Sequence, residues 1–94
     1  MSYSLLYLKK RVESAAFQEA LTALLARGFH VSVAPSKNRD GVAVRLKKEE
    51  EEVWLEWMDH DSLSVSATKQ PSERLKTEVS QTLDGANLKE TRVI

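Results

Sequence analysis

Between Phe29 and Thr68 the chain alternates apolar and polar residues through four successive segments, and this period of two constrains its fold more than any other feature. Phe29 to Ala34 places Phe29, Val31 and Val33 on one side and His30 and Ser32 on the other. Val42 to Lys48 sets Val42, Val44 and Leu46 against Ala43, Arg45 and Lys47. Glu52 to Met58 sets Val53, Leu55 and Trp57 against Trp54, Glu56 and Met58, and Ser62 to Thr68 sets Leu63, Val65 and Ala67 against four hydroxyl residues. The intervening stretches are rich in turn formers. Pro35 to Gly41 ends in Asp-Gly, a strong hairpin signal, Lys48 to Glu51 is charged, and Asp59-His60-Asp61 suits a tight turn. Four consecutive strands joined by short turns predict an antiparallel meander.

Two helices flank it. In Val12 to Arg27, the residues Ala16, Phe17, Ala20, Leu21, Leu24 and Leu25 recur at three- and four-residue spacing and form one broad apolar stripe. Ser14, or less simply Glu13, is placed to cap its start, and Gly28 stands where a left-handed cap is expected at its end. Pro71 suits the first turn of a second helix with Gln70 or Ser72 as cap. Leu75, Val79 and Leu83 form its narrower stripe, backed by Ala86 or Leu88. Ser2 to Lys9 reads as an opening strand with Tyr3, Leu5 and Tyr7 on one face and Leu6 and Leu8 on the other. Leu88 to Ile94 is compatible with a short last strand or a tail.

The predicted order is β-α-β-β-β-β-α, with a further C-terminal strand as an alternative. A single domain over residues 1–94 is too small to bury helices between two sheets. The economical packing is an α+β two-layer sandwich, a mostly antiparallel sheet with both helices on one face and a right-handed opening strand–helix–strand unit. In outline this resembles the ferredoxin-like class of α+β folds with its central hairpin extended to a meander; the resemblance is one of architecture.

The charge balance narrows the function classes. Fourteen basic residues match fourteen acidic ones, so the basic footprint of a nucleic-acid binder is missing. Simple electrostatic adhesion to anionic membranes is disfavoured for the same reason. The chain has no cysteine, which removes disulfides, thiolate metal sites and cysteine nucleophiles. Its apolar runs are too short to span a bilayer. Charge follows the first apolar stretch rather than preceding it, the reverse of a signal peptide, and the expectation is a cytoplasmic protein.

If the helices cover one face of the sheet, alternation puts His30, Ser32, Ala43, Arg45, Lys47, Trp54, Glu56, Met58, Ser64 and Ser66 on the other, with Tyr3, Leu5 and Tyr7 from the first strand. Tyr, Trp, Met and Arg are the types enriched at interface cores. The plainer reading leaves Trp54 covered by the stem of Arg45, and a one-residue slip would exchange Trp54 and Trp57 between faces. Glu49, Glu50, Glu51 and Glu52 beside this face would offer a basic partner a concentrated negative field.

Signals for catalysis are weak. Asp59-His60-Asp61 has the atom types of a general base or hard-metal site, but adjacent turn residues diverge and the backbone-bonding habit of Asp explains them as a turn. His30 reads as a rim residue, and Lys9-Lys10-Arg11 as a solvated run. The three glycines are isolated, so no phosphate-cradling loop arises. Glu56 is expected to pair across the strands with Arg45 or Lys47. No cofactor is expected.

These features predict a small non-enzymatic interaction module of inhibitor or immunity type. It would bind a basic protein through Arg45, Glu49, Glu50, Glu51, Glu52, Trp54, Glu56 and Met58. One alternative is a homodimeric regulatory domain that binds a small ligand. Another is an open-sheet RNA binder using Tyr3, Tyr7, Trp54 and Arg45 as a stacking platform, although Val42 to Lys48 lacks the aromatics such domains carry on that strand. An enzyme using His30, Glu56 or His60 is the remaining alternative.

Overall fold

The computed structural model describes residues 4–59, 61–86 and 88. Strand β1 (Ser4–Lys10) is followed by helix α1 (Ala15–Ala26), then by β2 (His30–Asn38), β3 (Gly41–Lys48), β4 (Glu51–Met58) and β5 (Ser62–Ala67), and finally by helix α2 (Glu73–Gly85). The five strands form one antiparallel sheet in the order β1-β5-β4-β3-β2. The predicted α+β sandwich with its four-strand meander is therefore what forms. The strand order does not bear out the ferredoxin-like outline. β1 and β2 lie at opposite edges with three strands between them, and α1 carries the chain from one edge to the other.

The register aligns side chains into rows across the sheet. Ala67, Val53 and Leu46 make one helix-facing row, Tyr7, Val65, Leu55 and Val44 a second, and Leu63, Trp57 and Val42 a third. These rows meet Val12, Ala16, Phe17, Ala20, Leu21 and Leu24 from the α1 side and Leu75, Val79, Leu83 and Leu88 from the α2 side in one core. Most of these side chains are fully buried, which is what the strict alternation of the meander demands.

One end of each helix is closed as its sequence specifies. At the end of α1, Gly28 takes φ 98°. Its N–H donates to Leu25 at 3.1 Å, and the Phe29 N–H reaches back to Leu24 at 3.2 Å. This is the paired-bond Schellman cap, and Leu24 and Phe29, the positions whose apolar contact accompanies that motif, are both buried in the core. Lys48 reinforces it: its ammonium donates to the Arg27 carbonyl at 2.6 Å, pairs with Glu78 on α2 and lies over the Phe29 ring. At the start of α2, the Ser72 hydroxyl accepts the Leu75 N–H at 3.1 Å. Ser14 sits before α1, but its side chain makes no capping bond.

Three expectations are corrected. Val31 and Val33 are 41% and 46% exposed rather than core. Val31 stands opposite Leu46 in a helix-facing row, but two helices each about 10 Å across cover roughly four strands spaced about 4.8 Å apart. The fifth strand overhangs, and every residue of β2 is exposed. A register shift then sets Val33 opposite Arg45, in a row of the uncovered face. A bulge between Leu5 and Tyr7 likewise reverses the phase of β1. Leu8, expected in the core, is 49% exposed, and Tyr7, expected on the open face, packs against the core beside Leu6. Finally, β2 continues through Pro35 to Asn38, so the hairpin turn is shorter than the predicted Pro35–Gly41 segment. The Asn38 side-chain oxygen closes it by accepting the N–H groups of Asp40 at 2.8 Å and Gly41 at 3.1 Å. A last strand over Leu88 to Ile94 falls outside the described residues except for Leu88, which is buried.

The uncovered sheet face as candidate functional site

The face turned away from the helices is organised by the same register. Its first row is Leu5, Ser66, Trp54, Arg45 and Val33, one residue from each strand. The second is Leu8, Ser64, Glu56, Ala43 and Ser36, and the third is Lys10, Ser62, Met58, Gly41 and Asn38. Small residues dominate β5 and the middle of β3, so the taller side chains of Leu5 and Trp54 enclose a shallow depression completed by Ala43, Glu56 and Ser66. Leu5 is 59% exposed and Leu8 49% at one edge, and Val33 at the other.

Trp54 and Trp57 take opposite sides of β4. Trp57 belongs to the core, and its indole N–H donates to the Val12 carbonyl at 3.0 Å, tying the β1–α1 connection to the sheet. Trp54 lies on the uncovered face beneath Arg45, whose guanidinium carbon is 4.2 Å from the ring centre. The covering of Trp54 by Arg45 is thus real, and Trp54 and Met58 are both partly exposed.

The sequence-predicted residues separate into groups. Arg45 faces Glu52 at 4.0 Å, and Glu52 accepts the Ser32 hydroxyl at 2.8 Å, so these three make a small polar network beside Trp54. Glu51 turns to the other side of the sheet. It accepts both the backbone N–H of Ser72 at 3.0 Å and its hydroxyl at 2.6 Å, fixing the residue that caps α2. These two hydrogen bonds, the hydroxyl first, hold the Glu51 carboxyl below the usual glutamate range. Glu49 occupies the β3–β4 turn with φ 56° and pairs at 3.4 Å with Arg74, both well exposed. Only Glu49 and Glu50 of the four glutamates remain at an exposed turn.

Glu56 does not pair with Arg45 or Lys47 as expected. Its cross-strand neighbours are Ala43 and Ser64, and Arg45, within diagonal reach, is turned to Glu52 instead. Among the described residues Glu56 has no hydrogen bond or ion pair. His30 is exposed at the β2 edge opposite Lys47. Tyr3 and His60 lie outside the described residues. No group of three or more His, Asp or Glu side chains among those described is arranged to hold a metal ion.

Leu8 and Val33 belong to this face although alternation assigned them to the core, and Tyr7, assigned to this face, packs inward; Leu5 stands where it was expected. The run Leu5-Leu6-Tyr7-Leu8 is apolar throughout and has no phase of its own. That absence of alternation was the one local sign that β1 need not keep a single register. Comparison with family models, curated proteins and solved structures returned no significant match.

Proposed function

We propose that this protein is a small non-enzymatic binding module that docks another protein against its uncovered sheet face, in the manner of a stoichiometric inhibitor or immunity-type protein. The observation that carries this reading is the row Leu5–Ser66–Trp54–Arg45–Val33. It crosses all five strands, with exposed apolar side chains at both ends and a stacked Trp–Arg pair near its centre. Leu5, Ala43 and Trp54 come together around one depression on this face; grouped apolar surface marks interaction sites in soluble proteins, and Trp and Arg dominate their hot spots.

The face mixes both signs, with Lys10, Arg45 and Lys47 beside Glu52 and Glu56, and Arg45 is already engaged by Glu52. That favours a protein surface over a phosphate backbone, whose affinity depends on uncompensated cations. The β2 edge is a poorer template for strand addition. Two register shifts, Pro35 and Lys37 interrupt it, and these are the devices by which sheet edges avoid pairing. Docking on the face is therefore favoured over docking on the β2 edge.

Capture from the native cell with wild type, Trp54→Ala and Leu5→Glu as parallel baits tests the reading. The expected result is a partner held by wild type and lost by more than about 1 kcal/mol, the hot-spot threshold, in both variants while their folds persist. Equal retention by all three would discard it.

A further inference from the structure

Resting on that reading of the face, we infer that the depression beside Glu56 receives a lysine or arginine side chain of the partner. Glu56 is the reason. Its row across the sheet is Leu8, Ser64, Ala43 and Ser36, all neutral, and its neighbours along β4 are Trp54 and Met58. Every other sheet glutamate is engaged within the chain: Glu51 by Ser72, and Glu52 by Ser32 and Arg45. Glu56 alone presents a partly buried carboxylate, without a hydrogen bond or ion pair among the described residues, at the wall of a depression otherwise lined by Leu5, Ala43, Trp54 and Ser66.

Those walls match the shape of a long basic side chain. Lysine and arginine carry an apolar stem that packs along Leu5 and the indole while the charged head seeks an acceptor. A carboxylate with no internal cation supplies that acceptor, and a charge-assisted bond is about twice as strong as a neutral one. The Ser66 hydroxyl lies in the same lining and adds a second acceptor. Arg45 stays occupied by Trp54 and Glu52, so the incoming cation meets no compensated anion.

The test uses the full chain labelled with nitrogen-15 and three probes: the N-acetyl N-methylamides of arginine, of citrulline (its neutral isostere) and of leucine. The arginine derivative is expected to move the Trp54 indole signal and the amides of Leu5, Ala43 and Ser66 along a saturable curve at roughly millimolar concentration. Citrulline should bind about fivefold more weakly or worse, and Glu56→Gln should remove the arginine preference. Ser64→Lys, which places an internal ammonium across from Glu56, should remove it as well. Equal response to arginine and citrulline, indifference to both substitutions, or no response to arginine overturns the inference. If leucine moves the same signals while arginine holds no advantage, the docking face stands and the basic guest falls. If no probe moves them, both readings fall.

Discussion

The guanidinium of Arg45 lies 4.2 Å from the centre of the Trp54 ring, its direct neighbour across the β3–β4 ladder. This pair shapes the uncovered face. It shields one side of an indole that would otherwise stand free, and it draws Arg45 toward Glu52 and away from Glu56. The stack has a cost on the same side chain, because Arg45 Nε is buried without a partner among the described residues. A double-mutant cycle with Arg45→Met and Trp54→Leu should give a coupling of about 0.5–1 kcal/mol in urea unfolding, the range of partly exposed cation–π pairs. Arg45→Met alone should change stability less than the coupling implies, since it also relieves the unpartnered nitrogen. A coupling near zero would show that the stack orders the face without stabilising the fold.

Glu51 links the sheet to α2 through Ser72, and the link depends on its charge. Its carboxyl titrates below the ordinary glutamate value because both bonds favour the ionised form. The sign follows from linkage: the folded pKa lies below the unfolded one, so the contribution is present above the ordinary glutamate value and is lost as pH falls through the lowered one. Urea unfolding should therefore show Glu51→Gln less stable than wild type at neutral pH. The gap should close as the solution is acidified below about pH 4, the ordinary glutamate range. A gap independent of pH would assign the effect to packing rather than to the carboxylate.

Gly41 is required by close approach. It pairs with Met58, and a methyl group built on it would sit 1.9 Å from the Trp57 carbonyl oxygen. That oxygen belongs to the backbone of a central strand and cannot rotate away. Gly41→Ala should lower stability by about 2–3 kcal/mol, the upper range of overpacking. Gly85, at the end of α2, has nothing within 4 Å of the same position. Gly85→Ala should be neutral or stabilise by up to about 1 kcal/mol through reduced unfolded-state freedom. Parallel thermal melts compare the two, and similar losses at both positions would contradict this account.

How far the site was legible differs from residue to residue. Trp54, Glu56 and Met58 follow from the alternation of β4, because Val53 and Leu55 leave only one phase for a strand with one buried face. The four glutamates read as one acidic field, yet the structure sends Glu51 to the α2 cap and Glu52 to Ser32 and Arg45. Strand alternation separates adjacent glutamates onto opposite faces, but which partners wait there depends on segments about twenty residues away. Glu56 was expected to find a cation because two stand on β3, but the register sets Lys47 opposite Glu52 and leaves only Arg45 within diagonal reach. Arg45 chose the ring and Glu52, a competition that composition does not rank.

Local chemistry was enough to determine the helices, their Gly28 and Ser72 ends, the meander and the helix-facing phase of β3, β4 and β5. Periodicity and capping act over a few residues, so the sequence contains the whole cause. Tertiary structure decided the rest: the strand order that parts β1 from β2, the bulge that turns Tyr7 inward and Leu8 outward, the overhang that leaves Val31 uncovered, and the register shift that moves Val33 to the other face. Each depends on how much sheet two helices can cover and on which edge each outer strand joins, quantities set by the assembled layers rather than by any one segment.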